Sequence, residues 1–117
     1  MIPKKILIVE DDYLITYLME SYVNDFKFEV LGTATNCEEA LKIVKQEVPD
    51  FVIMDVRIEG DKDGIDTALL INEIANVPII YATGNNDPRT LRRAAETNIK
   101  GFLVKPINKD DLLRLLL

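Results

Sequence analysis

Charged and hydroxyl side chains follow four short apolar segments of the chain, and their types could carry out phosphoryl chemistry. They are the acids Glu10, Asp11 and Asp55, the hydroxyl of Thr83 and the ammonium of Lys105. Short, strongly apolar segments are typical of strands that are buried on both faces. In an open α/β sheet the ligand site lies outside the carboxyl ends of such strands. We therefore expect these residues to converge on one pocket.

A pocket with three carboxylates needs a cation, because like charges at short distance repel one another. Oxygen ligands suit a hard ion such as Mg²⁺, and the chain has no histidine to favour zinc. The ion and Lys105 would hold the negative oxygens of a phosphoryl group, while the hydroxyl of Thr83 would bind another. One of the carboxylates could then act as the nucleophile and accept that group as an acyl phosphate.

The elements that would position these residues alternate between strands and helices. Strands are predicted near residues 5–9, 28–32, 50–54, 78–82 and 101–104, with amphipathic helical patterns between them. Asn36, Asp87 and Asn108 are predicted to cap the second, fourth and fifth helices. The third helix is predicted from about Gly64 to about Ala75. Strict alternation of this kind indicates a parallel sheet with helices on both faces.

Length and composition limit the class of protein. The 117 residues, of which 48% are hydrophobic, fit one domain with a single core. A formal net charge of −6 argues against direct binding of nucleic acid, which needs clustered Lys and Arg. Cys37 is the only cysteine, which excludes an internal disulfide and fits a reducing compartment. No apolar segment approaches the ~20 residues of a membrane span, so we expect a cytoplasmic protein.

The last six residues, 112–117, are unusually apolar for a chain terminus. We expect residues 1–117 to form one domain that is excised from, or trimmed out of, a longer protein. The alternative is a complete small protein whose leucines form a surface for a partner or for self-association.

The order and spacing of the motifs resemble those of the receiver domain of response regulators in two-component signal transduction, over essentially the whole chain. In that family an acidic pair follows the first strand, the phosphoacceptor aspartate ends the third, a Thr or Ser ends the fourth and a Lys-Pro pair ends the fifth. The matching residues are, in order, Glu10-Asp11, Asp55, Thr83 and Lys105-Pro106. The resemblance implies a flavodoxin-like, doubly wound (βα)5 fold with a five-stranded parallel sheet in the order 2-1-3-4-5.

The resemblance also implies which acid does what. Asp55 would accept the phosphoryl group and bind Mg²⁺ together with Asp11, while Glu10 would act on the metal through water. The backbone carbonyl of Arg57, two residues beyond the phosphoacceptor, would be a further metal ligand. Arg57 and Asn85 would flank the path by which water attacks the acyl phosphate.

Thr83, Lys105 and Phe102 would form the switch. In the family, the phosphorylated aspartate attracts the hydroxyl and the ammonium, and the aromatic residue three positions before the lysine moves inward. The surface built by the fourth helix, the fifth strand and the fifth helix would then change its affinity for a partner. A homodimer through that surface is a further expectation.

The expected partners follow from what the chain lacks. It has no histidine and no nucleotide-binding glycine loop, so the phosphoryl group would come from a sensor histidine kinase or a histidine phosphotransfer protein. An output domain beyond Leu117 would receive the signal. The chain would catalyse only its own phosphorylation and dephosphorylation, so we do not expect an enzyme that acts on other substrates.

Three other classes compete with this interpretation. A pseudo-receiver would keep the fold as a protein-binding module without being phosphorylated, although the complete set of acids, threonine and lysine argues against it. A metal-dependent phosphatase would also form an aspartyl phosphate, but such enzymes place the nucleophile after the first strand. A flavodoxin-like cofactor binder would need a Ser/Thr/Gly-rich phosphate loop after the first strand, which this chain lacks.

Two features depart from the usual pattern of the family. Residues 56–64 are polar and contain no proline where a Met-Pro or Leu-Pro pair is common, so a longer and more mobile loop is expected. Phe102 lacks the hydroxyl of the tyrosine that often occupies the switch position, so any switching there would depend on packing alone.

Overall fold

The computed structural model describes residues 2–84 and 87–117, in which strands and helices alternate throughout. The strands are β1 (Lys5–Val9), β2 (Glu29–Ala34), β3 (Phe51–Asp55), β4 (Ile79–Thr83) and β5 (Ile99–Val104). The helices are α1 (Tyr13–Asp25), α2 (Cys37–Gln46), α3 (Gly64–Ile74), α4 (Pro88–Ala94) and α5 (Lys109–Leu116). All strand pairs are parallel and the order is β2-β1-β3-β4-β5, which confirms the predicted fold class and topology.

β1 has the predicted boundaries, and those of the other four strands differ from the sequence predictions by one or two residues. β2 and β5 are longer than predicted, and β3 and β4 each end one residue later. Asp55 and Thr83 are therefore the last residues of their strands, where Asp55 pairs with Ala82 and Thr83 pairs with Val104. The reason is that the ladder of backbone hydrogen bonds continues past the last apolar side chain, which a pattern of hydrophobicity does not record.

The central strands are buried on both faces of the sheet. Every residue of β3 and β4 is buried. Val52 and Met54 pack into the apolar cluster beneath α2, α3 and α4, while Ile53 and Ile80 pack into the cluster beneath α1 and α5. Because both faces are covered, successive residues of these strands must be apolar, and a polar residue is tolerated only at the strand ends.

Each helix begins at an acidic or amide side chain that accepts a backbone N–H of the first turn. These N-caps are Asp12, Asn36, Asp63, Asp87 and Asn108. The three predicted caps are confirmed, and Asp63 adds a reciprocal capping box with Asp66. No helix in the described part of the chain is long and apolar enough to cross a membrane.

The apolar C-terminal segment contributes mainly to the core. Leu112 and Leu116 are buried in the cluster beneath α1 and α5, and the side chain of Leu115 lies against Gly101 of β5. Leu117 is exposed. The apolar run of α5 is thus explained by packing against the sheet.

The first residue of α3 lies directly against the end of β3. A Cβ atom on Gly64 would be 1.9 Å from the carbonyl oxygen of Asp55. The backbone N–H of Gly64 also donates to the carbonyl of Val56 at 2.7 Å. Only a residue without a side chain lets the helix approach the strand so closely. Gly64 therefore fixes the distance between α3 and the carboxyl edge of the sheet.

We expect Gly64→Ala to lower the free energy of unfolding by about 2 kcal/mol or more, because an added methyl group must push backbone atoms apart. Urea-induced unfolding measures this change. Gly84→Ala is the matched control, since a Cβ atom there has no neighbour within 4 Å among the described residues. Equal losses in the two variants would contradict the close contact.

Candidate functional site

The first part of the site is formed where β1 ends. The backbone N–H of Glu10 donates to the carbonyl of Ala34 at 2.9 Å, and the side chain of Glu10 is buried. Asp11 is half-buried, whereas Asp12 is exposed and caps α1 by accepting the N–H of Leu14 at 2.9 Å. The N–H of Asp12 donates to Glu10 Oε2 at 3.1 Å. The start of α1 therefore holds the carboxylate of Glu10 in place.

The three predicted acids come together at the carboxyl edge of the sheet. Glu10, Asp11 and Asp55 each offer a carboxylate oxygen, and these oxygens all lie within 4.8 Å of one another. β1 and β3 are neighbours in register, with Val9 opposite Met54, so the residues at their ends lie side by side. All three ligands are oxygens, which fits a hard divalent cation and not a softer metal.

Lys105 joins two of these acids. Its Nζ atom lies 3.0 Å from Glu10 Oε1 and 3.0 Å from Asp55 Oδ2. Its backbone N–H donates to the carbonyl of Thr83 at 3.0 Å, which extends the pairing of β4 and β5 beyond Val104. Burial disfavours the ammonium, but the hydrogen bonds with Glu10 and Asp55 outweigh burial and raise the pKa of Lys105. The pocket therefore has a permanent positive charge on one side.

The pKa of Glu10 shows that one ammonium does not balance the acids. Burial, together with the adjacent carboxylate of Asp55, raises the pKa of Glu10 to about 7 against the lowering effect of the hydrogen bond from Lys105. A buried carboxylate that holds a proton near neutral pH lacks sufficient positive charge around it. A divalent cation among the three acids would supply that charge.

Thr83 and Arg57 flank the acids. Thr83 ends β4 and is buried, one residue beyond the residue that pairs with Asp55. The backbone N–H of Arg57 donates to Asp55 Oδ1 at 3.2 Å, while the residue itself is exposed. The backbone of Arg57 therefore contacts Asp55 through its N–H group. Asn85 lies outside the described residues.

The segment after Asp55, expected to be long and mobile, makes specific contacts. The backbone N–H of Glu59 donates to the carbonyl of Thr35 at 3.3 Å, and an isolated parallel bridge joins Asn36 to Glu59. At its other end the segment leads into Asp63, the N-cap of α3. A polar sequence without proline therefore pairs here with the loop that follows β2.

Phe102, the predicted switch residue, is half-buried and stacked on Tyr81, with ring centroids 5.6 Å apart. The hydroxyl of Tyr81 lies 2.9 Å from Thr97 Oγ1, which donates to the carbonyl of Ala94 at 2.6 Å. Sequence reasoning missed Tyr81, because the pairing that sets it opposite Phe102 depends on the register of β4 and β5.

A second charged cluster, formed by Arg93, Asp63 and Asp66, was not predicted from the sequence. Arg93 of α4 binds both oxygens of Asp63, at 2.8 and 3.1 Å, and Asp66 Oδ1 at 3.1 Å. The spacing of Asp63 and Asp66 is a sequence signal for a capping box. Nothing local marks Arg93 as their partner, because it lies on the next helix of the chain.

A five-stranded parallel sheet of this order, with an acid cluster and a lysine at its carboxyl edge, defines a receiver-type signalling domain. The chain belongs to the response regulator receiver domain family, whose model matches residues 6–117. The resemblance inferred from the sequence motifs is thereby confirmed, and the chain is a component of two-component signal transduction.

Individual relatives agree with this family. The chain is 32% identical over 112 residues to the transcriptional regulatory protein PdtaR of Mycobacterium tuberculosis, covering 96% of this chain and 54% of that protein. It is 31% identical over 108 residues to the transcriptional regulatory protein KdpE of Staphylococcus aureus, covering 92% and 46%. The chain therefore spans about half the length of these curated relatives.

Among solved structures, the signal receiver domain of a modulated diguanylate cyclase from Desulfovibrio desulfuricans superposes with a TM-score of 0.90 at 33% identity. The match covers 97% of this chain and 90% of that one. The same receiver fold thus occurs with outputs as different as transcriptional regulation and a diguanylate cyclase, so the fold alone does not identify the output of this chain.

We expect the metal-free protein to lose stability as the pH rises from about 5.5 to about 8, by on the order of 1 to 2 kcal/mol. The pKa of Glu10 is raised in the folded state, so between its unfolded and folded values the native state binds more protons than the unfolded chain. Raising the pH through this window therefore favours unfolding. The chain has no histidine, and the lowered pKa values of Asp63 and Asp87 place their titration below the window.

Urea unfolding in the presence of a chelator tests this pH dependence. Glu10→Gln should remove most of it, because the amide does not titrate. A parent protein whose stability is constant or increases with pH over this range would contradict the raised pKa of Glu10.

Proposed function

We propose that this chain is a phosphorylation-dependent signalling switch in which Asp55 accepts the phosphoryl group and Mg²⁺ is the metal cofactor. The observation that carries the proposal is the environment of Asp55. Its carboxylate is buried, accepts a hydrogen bond from Lys105, and shares a pocket with two further acids. Such a concentration of ionisable groups at a strand end is costly for folding and typical of a reactive site.

The residues of the acid cluster have distinct roles in this proposal. Asp11, Asp55 and the backbone carbonyl of Arg57 would hold Mg²⁺, and Glu10 would contact it through water. When bound, Mg²⁺ stabilises the negative charge that develops on a transferring phosphoryl group. Lys105, which contacts both Glu10 and Asp55, would contribute a second positive charge.

A phosphohistidine of the partner protein would be the donor. A carboxylate oxygen of Asp55 attacks the phosphorus, a P–O bond forms, and the P–N bond breaks with its electron pair returning to the imidazole of the donor. The hydrogen bond from the N–H of Arg57 to Asp55 Oδ1 orients the nucleophile. Lys105, already 3.0 Å from Asp55 Oδ2, needs only a small movement to bind the incoming phosphoryl oxygens.

Signalling would follow from the new charge. The hydroxyl of Thr83 and the ammonium of Lys105 would bind the phosphoryl oxygens, drawing the end of β4 toward the pocket, and Phe102 would repack on Tyr81. The surface of α4, β5 and α5 would change in consequence. Leu91 and Val104 are exposed apolar residues on that surface, which supports a partner or a second copy of the chain as its target.

The face of α1 beside the pocket supports a docking role for the phosphodonor. Tyr13, Leu14, Tyr17 and Leu18 are apolar or aromatic, yet between 40% and 80% of each is exposed. α1 begins directly after the acid pair, so a protein bound to this face brings its histidine close to Asp55. We assign this face to the sensor histidine kinase or histidine phosphotransfer protein, and we place the exchange in the cytoplasm.

The output is proposed to lie outside this domain, in a further segment beyond Leu117 or in a separate protein. The greater length of the matched relatives supports this assignment. Within the proposal the chain catalyses its own phosphorylation and dephosphorylation and has no other substrate. A pseudo-receiver is the remaining alternative, and it differs in being unable to accept a phosphoryl group.

Acetyl phosphate with Mg²⁺ should add one phosphoryl group to the parent protein and none to Asp55→Asn, because only the Asp55 carboxylate can form the acyl phosphate. Intact-mass measurement detects the addition, and a chelator should abolish it. Asp61→Asn, which removes an exposed carboxylate from the same loop, is the control and should be labelled like the parent. An unlabelled parent protein would favour the pseudo-receiver, and a labelled Asp55→Asn would move the site elsewhere.

Leu14→Ala should slow phosphoryl transfer from phosphorylated histidine kinases by roughly tenfold, equivalent to ~1.4 kcal/mol, because it truncates the exposed face of α1. Kinases that label the parent are first selected from a panel, and transfer is then followed with radioactive phosphate. Labelling by acetyl phosphate should not change. Leu69→Ala, an exposed leucine of α3, is the control. Equal transfer to both variants would exclude this face as the docking surface.

A further inference from the structure

α4 is attached to the rest of the domain through its C-terminal half. Arg93, in its last turn, binds Asp63 and Asp66 of the neighbouring helix. Its first turn makes a local contact, in which Asp87 accepts hydrogen bonds from the N–H and hydroxyl of Thr90 at 2.9 and 3.1 Å. One end of the helix is therefore fixed to α3, whereas the hydrogen bonds of Asp87 within the described residues run to Thr90 of its own helix.

Arg93 contacts the two acids in a favourable geometry, but the contact adds little to the stability of the fold. Arg93 uses both terminal nitrogens on Asp63, the paired arrangement that favours guanidinium–carboxylate binding. Burial opposes the charge on Asp63, but the hydrogen bonds and charge of Arg93 lower its pKa. About a third of the side chain of Arg93, and of that of Asp63, remains exposed. Ion pairs of this exposure contribute little to the free energy of unfolding, so a small change in free energy elsewhere in the domain is enough to break them.

The acids bound by Arg93 belong to the part of α3 that touches the phosphoacceptor strand. Asp63 caps α3 and directly precedes Gly64, whose Cα lies against the carbonyl of Asp55. Arg93 thus connects α4, through the first turn of α3, to the backbone of the residue that carries the phosphoryl group.

The other end of α4 is connected to the pocket along the chain. β4 ends at Thr83, and α4 is the next element after it. In the proposed function Thr83 moves toward the phosphoryl group, and a movement passed along the chain would displace the start of α4. The contact of Arg93 with α3 would oppose that displacement, because it holds the other end of the helix.

We propose that the contact of Arg93 with Asp63 and Asp66, termed here the α3–α4 latch, holds α4 in its unphosphorylated position. Part of the free energy gained by binding the phosphoryl group is then used to break this contact and move α4. This inference rests on the proposed function, because it concerns regulation of the same site. Arg93 is accordingly a positioning residue that contacts neither the metal nor the phosphoryl group.

Beryllofluoride, a mimic of the phosphoryl group, tests the latch by calorimetric titration with Mg²⁺. Arg93→Gln should tighten beryllofluoride binding roughly threefold, equivalent to about 0.7 kcal/mol, because the competent position of α4 becomes more populated. Asp63→Asn should act in the same direction, since asparagine keeps the N-cap but weakens the ion pair. The double variant should bind no more tightly than Arg93→Gln alone, because both changes release the same contact.

Hydrogen exchange separates a latch from a merely structural contact. The amides of α4 should exchange faster in free Arg93→Gln than in the free parent, while the midpoint of urea unfolding changes little. Arg92→Gln removes the same charge from the same helix turn, and it should leave both exchange and beryllofluoride binding at the parent values.

The outcomes distinguish the latch from the function on which it rests. Unchanged or weaker binding of beryllofluoride to Arg93→Gln, with normal binding by the parent, would overturn the latch alone. Failure of the parent to bind beryllofluoride at Asp55 would overturn the proposed function and the latch with it. Tighter binding by Arg92→Gln as well would also overturn the latch, since it would attribute the effect to net charge.

Discussion

The domain is organised around an excess of buried negative charge at one edge of its sheet. Glu10, Asp11 and Asp55 face one another there, and the ammonium of Lys105 reaches only two of them. The hydrophobic sheet beneath positions these acids but offers them no compensation, because both of its faces are filled with apolar side chains. The site therefore has an excess of negative charge, and the proposed binding of a divalent cation would compensate it. In that proposal the cation and Lys105 together supply the positive charge that a phosphoryl group needs.

The surrounding helices and strands connect the charge of the site to the rest of the fold. α1 restrains Glu10 through its N-terminus, and α3 packs on Asp55 through Gly64. Lys105 continues the pairing of β5 with β4 at the level of Thr83. Because each site residue lies in or close to the end of a packed element, a change of charge in the pocket changes the relative stability of different helix positions. This is the physical basis for signalling by a domain of this size.

Most of the fold and the acid cluster could be predicted from the sequence, because strand-end acids in buried βα units must meet at one edge. The topology came from the family resemblance. Contacts that depend on packing angle or register could not be predicted. Arg93 finds Asp63 only when α3 and α4 are assembled, and Tyr81 meets Phe102 only through strand register. The short distance between Gly64 and the carbonyl of Asp55 likewise exists only in three dimensions.

The stacking of Phe102 on Tyr81 makes position 102 suitable for an intrinsic fluorescent probe. The chain contains no tryptophan, so Phe102→Trp would introduce a single indole fluorophore. That fluorophore would lie on β5, half-buried beside a tyrosine ring that can transfer excitation energy to it. Its emission would report the local environment of the sheet edge in real time, without a dye or a labelled partner.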